Sequence, residues 1–177
     1  MITPNIIDHM ELLYDTVRRM PRPGALLEIG VEYATGSTWA FRAALEKRCI
    51  QEDVWVAVDM KDQRKPWCIP MHPGYKFVLG GSEAPETISQ VSQIAQRFDI
   101  IFVDTHHTPE QVTLELDAYW PLQDRNTTWL FHDTYMNGVY NPMTDAIKDW
   151  CKSHDRQYAD ISTKCHGIGQ ILADNND

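Results

Sequence analysis

The segment from Ala25 to Thr38 runs from an unbroken apolar stretch, Ala25-Leu26-Leu27, through Glu28-Ile29-Gly30 into a small-residue turn that closes on Gly36-Ser37-Thr38. It reads as a buried parallel strand feeding a ligand-binding loop. Glycines there let the backbone approach a ligand, and the helix that follows offers free N–H groups at its N-terminus. A chain built on such a unit is committed to an α/β sheet with its site at the carboxyl ends of the strands.

The same grammar recurs downstream. Val54 to Asp59, Lys76 to Leu79, Phe98 to Val103 and Thr127 to Phe131 read as further strands. Between them lie helical patterns from Ser37 to Arg48, Pro85 to Gln96, Thr108 to Trp120 and Pro142 to Ser153. In the first of these, Trp39, Ala40, Ala43, Ala44 and Leu45 supply the buried side. Thr108-Pro109-Glu110-Gln111 opens its helix with a capping threonine, a proline in the first turn and Gln111 in the capping-box position. Two short strands near Gln157 to Ile161 and Gly167 to Leu172 complete the series. Strands alternating with helices at this spacing imply a parallel sheet covered on both faces. Ahead of it, Ile6, Ile7, Met10, Leu13, Tyr14 and Val17 mark an amphipathic leading helix within residues 1–22, able to pack on the sheet or on a partner in a homo-oligomer. Trp120, Trp129 and Trp150 fall where core packing explains them.

At 177 residues the chain suits a single domain spanning residues 1–177. Its 25 acidic residues against 16 basic ones, a net charge of −9, argue against a nucleic-acid partner. No signal peptide or apolar span long enough for a membrane is present, so a cytoplasmic location is expected. Cys49, Cys68, Cys151 and Cys165 form no C-x-x-C pair and read as reduced structural thiols.

Acids cluster where the strands end: Glu28, Asp59, Asp104 and Asp133 each sit at or just past a strand's carboxyl end. A lone acid in that place often caps the next helix, but four together line one crevice. Asp59 lies 23 positions beyond Gly36, close to the roughly twenty-residue offset at which an acid meets ribose hydroxyls. The loop lacks G-x-G-x-x-G, which disfavours a nicotinamide-dependent oxidoreductase.

Glu28-Ile29-Gly30-Val31, Gly36-Ser37-Thr38, Val56-Ala57-Val58-Asp59, the run Phe98 to His107, Tyr119-Trp120-Pro121-Leu122 and Phe131-His132-Asp133-Thr134 together resemble class I S-adenosylmethionine-dependent methyltransferases. The likeness is narrower to the cephalosporin hydroxylase-like and macrocin or rhamnosyl O-methyltransferase-like proteins. It implies a Rossmann-like, doubly wound, mostly parallel seven-stranded sheet with an antiparallel C-terminal edge. It also implies an S-adenosylmethionine cofactor, with Glu28, Gly30, Gly36 and Ser37 around its methionine portion, Asp59 at the ribose and Ser82 and Glu83 on the adenine side. Asp104 is expected to contact the cofactor as well as to take part in the chemistry.

Transfer of a methyl group to a hydroxyl needs the hydroxyl proton removed or offset. Asp104 and Asp133 suit a divalent cation such as Mg²⁺, and His107 or His132 suits a general base near neutral pH. The mixed set Asp104, His107, His132 and Asp133 also suits Mn²⁺ or Fe²⁺. His106 and His107 have a plainer reading as helix caps. The long irregular stretch over residues 61–75 carries Trp67, Met71 and Tyr75, which would form a lid over a small-molecule acceptor. Tyr135, Met136, Asn137 and Tyr140 follow the fifth strand, either reaching the acceptor or forming an ordinary connection. An enzyme that O-methylates a small sugar-like or natural-product-like acceptor is the leading expectation. A non-catalytic cofactor- or protein-binding module of the same fold is the alternative.

Overall fold

A computed structural model of the chain describes residues 6–172. A 3₁₀ turn over Ile7–His9 leads into α1 (Met10–Arg18), followed by β1 (Ala25–Ile29), α2 (Ser37–Arg48), β2 (Val54–Asp59), β3 (Tyr75–Leu79), α3 (Pro85–Ile94), β4 (Ile100–Val103) and α4 (Pro109–Tyr119). A 3₁₀ turn (Trp120–Leu122) precedes β5 (Thr128–His132), a hairpin of β6 (Tyr135–Met136) and β7 (Val139–Tyr140), α5 (Pro142–Ser153), β8 (Tyr158–Ser162) and β9 (Ile168–Ile171).

The main sheet has seven strands in the order β3-β2-β1-β4-β5-β9-β8. The first five are parallel, and β9 runs antiparallel between β5 and β8. Strand order reverses between β1 and β4, which opens the crevice where doubly wound sheets bind ligands. The antiparallel C-terminal edge and doubly wound sheet match the expectation from sequence.

Both faces of the sheet are covered, which is why the central strands are apolar on both sides. On one face Leu27, Ile29, Val56, Val58, Ile101, Trp129 and Phe131 pack under α3, α4 and α5. On the other, Leu26, Trp55, Ile100, Phe102 and Leu130 meet Phe41, Ala44 and Leu45 of α2 and Leu13 and Val17 of α1. The leading helix therefore packs on the chain's own α2. Arg48 fixes it there: its guanidinium donates to the carbonyls of Val17, Met20 and Pro21 at the end of α1 and pairs with buried Asp53.

Several local expectations change. Trp39 is 46% exposed and Ala43 also faces solvent, because the buried stripe of α2 is Ala40, Phe41, Ala44, Leu45 and Arg48. Ile7 is likewise exposed, lying on the 3₁₀ turn rather than on the apolar face of α1. Residues 135–140 form a hairpin in place of a plain connection. Thr108 caps α4 by accepting from the Gln111 amide, but the Gln111 side chain leaves the cap for a tertiary partner described below. Among the described residues no helix is long and apolar enough to cross a membrane.

Candidate active site

The crevice begins at Gly30. Its amide donates to the Val58 carbonyl at 2.9 Å, and its φ of +88° turns the chain out of β1. A Cβ there would lie 1.9 Å from the Asp104 carbonyl oxygen, so only glycine lets the ends of β1 and β4 approach this closely. The loop onward to α2 holds Glu32, Ala34 and Gly36 at positive φ as well.

Glu28 lies beside this loop, within the influence of the Asp104 charge. It is fully buried and accepts from Ser37 Oγ and Thr38 Oγ1, both at 2.8 Å, and from Trp55 Nε1 at 3.2 Å. Burial pushes its carboxyl up to about 7, against the pull of those three donors. Ser37 is thus spent on Glu28, and the pair anchors α2 to β1. Gly36 caps α2 and offers no side-chain acceptor to the first-turn amides of this twelve-residue helix.

Asp59 closes the loop from the other side. One carboxylate oxygen accepts from the Val31 and Glu32 amides at 2.9 and 2.8 Å, and the other accepts from Lys61 N at 2.9 Å. The acid expected at the ribose therefore also sets the shape of the glycine loop.

Ser82 and Glu83, after β3, belong to a network that sequence reasoning missed. Its centre is Glu115 on α4, fully buried, which accepts from Ser82 Oγ at 2.5 Å, Thr105 Oγ1 at 2.8 Å and Gln111 Nε2 at 2.9 Å. Burial raises the Glu115 pKa although these donors oppose the shift. Gln111 Nε2 also reaches Ser82 Oγ and Glu83, and Tyr119 donates to the Ser82 carbonyl. Four residues of α4 and the loop before it thereby hold the segment after β3.

The polar centre of the crevice lies at the ends of β4 and β5. His107 Nε2 is 3.2 Å from Asp104 Oδ1 and 3.0 Å from Asp133 Oδ2. One ligand atom from each of Asp104, His107 and Asp133 lies within 4.8 Å of the other two. His132 Nδ1 sits 3.3 Å from Asp104 Oδ1 and 3.2 Å from Asp133 Oδ1, while its Nε2 faces the Cys165 carbonyl at 3.1 Å. Asp133 takes a φ of +58°, in the left-handed region. Burial opposes ionisation of Asp104, but the hydrogen bonds and charges of His107 and His132 outweigh it and hold the carboxyl well below its usual range. The His132 pKa rises, because contact with Asp104 and the charge of Asp133 overcome its desolvation.

Burial separates the two histidines proposed as a base: the His132 side chain is sealed and that of His107 is 28% exposed. Two further histidines join from distant parts of the chain. His166 Nδ1 lies 3.1 Å from Asp133 Oδ1. His9, on the opening 3₁₀ turn, contacts the Lys164 carbonyl at 2.8 Å and sets its ring edge-on to His132 at 5.8 Å. Neither carries a motif; a glycine at position 167 after His166 is the one local sign of a special turn.

These donors fit a divalent cation. Two carboxylates and imidazole nitrogens sit 3.0–3.3 Å apart, and atoms sharing an octahedral ion with bonds of about 2.1 Å are separated by about 3.0 Å at adjacent positions.

The irregular segment before β3 is tied to the glycine loop. Lys65 N donates to the Tyr33 carbonyl, Lys65 Nζ lies over the Tyr33 ring at 4.8 Å, and Arg64 stacks on Phe77 at 3.6 Å. Trp67 and Met71 stand 76% and 88% exposed. Tyr75 is excluded from a lid role: it opens β3, packs edge-on against Trp55 and takes a hydrogen bond from Arg64.

The fold has solved counterparts. The O-methyltransferase NovP superposes with a TM-score of 0.70 at 14% identity, over 94% of this chain and 79% of that one. CalS11, a TDP-rhamnose 3'-O-methyltransferase of calicheamicin biosynthesis, gives 0.65 at 14% identity over 94% and 77%. The MycE methyltransferase of the mycinamycin pathway, solved with Mg and SAH, gives 0.61 at 16% identity over 93% of this chain. The chain spans 48% of the length of MycE. These are likenesses of fold. No curated protein sequence matches the chain. The rhamnosyl O-methyltransferase/CmcI family model matches residues 4–165, and the chain belongs to that family.

Proposed function

We propose that the chain is an S-adenosylmethionine-dependent O-methyltransferase that acts, with a divalent metal, on a hydroxyl of a small sugar-bearing or natural-product-like acceptor. The observation that carries this reading is the convergence of Asp104, His107 and Asp133 beside the Gly30–Gly36 loop. Family membership and the Mg and SAH held by MycE support it.

When bound, S-adenosylmethionine supplies the electrophilic methyl and the cation lowers the acceptor hydroxyl's pKa. The α2 N-terminus would receive the cofactor carboxylate, Asp59 and the loop it braces would meet the ribose, and the Glu115 network would hold Ser82 and Glu83 for the adenine. Asp104 and Asp133 would hold the metal. An acceptor hydroxyl placed between these carboxylates would lie within reach of His107 Nε2, which would accept the hydroxyl proton as the methyl group is transferred. Sealed His132 has no path to the acceptor, so the base role goes to His107. Trp67 and Met71, exposed on the 61–74 segment, would cover a bound acceptor and limit water entry if that segment closes over it.

Calorimetry with S-adenosylmethionine and SAH, with and without Mg²⁺ or Mn²⁺, followed by mass detection of methylated products from a panel of glycosides and phenols, tests the reading. Cofactor binding with metal-dependent product formation is expected. Failure to bind either cofactor form sinks it, and binding without transfer supports the non-catalytic alternative.

A further inference from the structure

We propose that the carboxyl-end face of the sheet docks on a lipid surface bearing anionic headgroups, held there by two apolar prongs that straddle the crevice. One prong is the 61–74 segment with Trp67 and Met71, and the other is the β6–β7 hairpin with Val139. This docking goes beyond the methyl-transfer reading above and does not depend on it.

Exposed apolar side chains are not spread evenly over the molecule. Among the described residues twelve large ones stand exposed, and only Ile94 and Leu114, both on helices, lie away from the end of the sheet where the crevice opens. Such residues scattered singly need no explanation, but a collection on one face marks an interaction site. The three most exposed are Met71, Trp67 and, at 64%, Val139. Strand order β3-β2-β1-β4-β5 puts the 61–74 segment, after β2, and the hairpin, after β5, one strand to either side of the β1/β4 crevice.

Both prongs are held firmly, so their exposure is built in. Around Trp67, the Lys65 amide donates to the Tyr33 carbonyl, Cys68 is buried against Val31 and Ala34, and His72 Nε2 contacts the Ile50 carbonyl at 3.2 Å. The hairpin turns through Asn137 and Gly138, both at positive φ, as a tight two-residue turn requires. At its base Tyr135 N donates to the His166 carbonyl and Asn141 N to that of Thr134. Cations stand behind each apolar tip. The 61–74 segment carries Lys61, Arg64 and Lys65 against Asp62 alone, in a chain whose net charge is −9. Beside the hairpin, exposed Lys164 lies two residues from the carbonyl that Tyr135 binds. Apolar tips with a cationic collar suit an anionic interface, the tips entering the acyl boundary and the charged heads staying among the headgroups. The Trp67 ring, apolar with one polar N–H, fits that boundary. A protein partner that covered both prongs would shut the crevice between them, whereas a lipid surface is made of small, mobile molecules that leave it accessible.

Vesicle flotation of the full chain tests the docking. Binding to vesicles of phosphatidylcholine mixed with phosphatidylglycerol should be at least about tenfold tighter than to phosphatidylcholine alone, and should weaken as salt is added. The Trp67→Ser/Met71→Ser double variant and Val139→Ser should each bind the mixed vesicles about tenfold or more weakly. Leu114→Ser, at an exposed position on α4, should bind them as the wild type does. Phosphatidylcholine brominated in its acyl chains should quench the tryptophan fluorescence of the wild type more than that of the double variant. Salt-sensitive binding that none of the prong substitutions alters overturns the proposal, since charge alone then explains it. Absence of vesicle binding overturns it too, including the case in which the prongs join two copies and their substitution turns a dimer into a monomer. Vesicle binding by a protein with no affinity for S-adenosylmethionine or SAH keeps this inference and overturns the methyltransferase reading, and SAH binding without vesicle binding does the reverse.

Discussion

The Arg48 guanidinium lies 2.7 Å from the Asp53 carboxylate with neither side chain exposed to solvent. Asp53 also accepts from the Gly24 amide, so the pair fastens α1, the start of β1 and the end of α2 together. Arg48→Ala strands a buried carboxylate and uncovers the carbonyls at the end of α1. It should cost about 3–5 kcal/mol of stability in urea unfolding. Arg19→Ala, which breaks an exposed pair with Asp15, should leave the midpoint unchanged.

Glu28 sets a pH dependence of stability. Its carboxyl is raised from 4.5 to about 7 by burial, so between those values the folded state keeps a proton that the unfolded chain has released. Stability from this group is present in full below about pH 4.5 and is lost as pH rises through 7. At about 1.4 kcal/mol per unit, the effect amounts to a few kcal/mol. Glu28→Gln should therefore become more stable relative to wild type as pH climbs from 5 to 7, measured as unfolding midpoints. A gap that stays constant with pH would refute the assignment.

Asp59→Ala removes the acceptor of the Val31 and Glu32 amides. With hydrogen bonds to a charged group worth about 1.5–3 kcal/mol, SAH affinity should fall by roughly 10- to 100-fold or more, read by calorimetry. Metal affinity should not change.

His107→Ala should lower kcat by about 10²- to 10⁴-fold while SAH binding persists. Added imidazole should restore part of the rate, a rescue that a structural role would not permit.

Glu115→Ala leaves Ser82, Thr105 and Gln111 without their shared acceptor. Each such buried loss is worth about 1–3 kcal/mol. The KM for S-adenosylmethionine should rise at least about tenfold with a smaller change in kcat, whereas Glu115→Gln should recover part of the affinity.

The sheet was legible in the sequence because each buried parallel strand is a short apolar run stopped by a glycine or an acid, as in Leu26 to Gly30 and Phe98 to Asp104. Asp104, His107, His132 and Asp133 were legible for the same reason: they follow directly on two such runs, and the structure brings them together. What the sequence hid depends on long-range partners. Gln111 fits a capping box by spacing, yet buried Glu115 one turn later on the same helix face draws its side chain away. Trp39 looks like core by composition, but Phe41 takes the sheet-facing position and leaves Trp39 in solvent. His9 and His166 reach the centre only through the 3₁₀ turn at one end and the insertion of β9 at the other.

That insertion also orders events in time. β9 lies between β5 and β8, so until residues 168–171 emerge from the ribosome β5 has one hydrogen-bonding edge bare, with Trp129 and Phe131 on it. The Cys165 carbonyl that steers His132 arrives in the same late stretch. A nascent chain halted before it would hold the cofactor loop but an unfinished centre, and would present the cell's chaperones with an open strand.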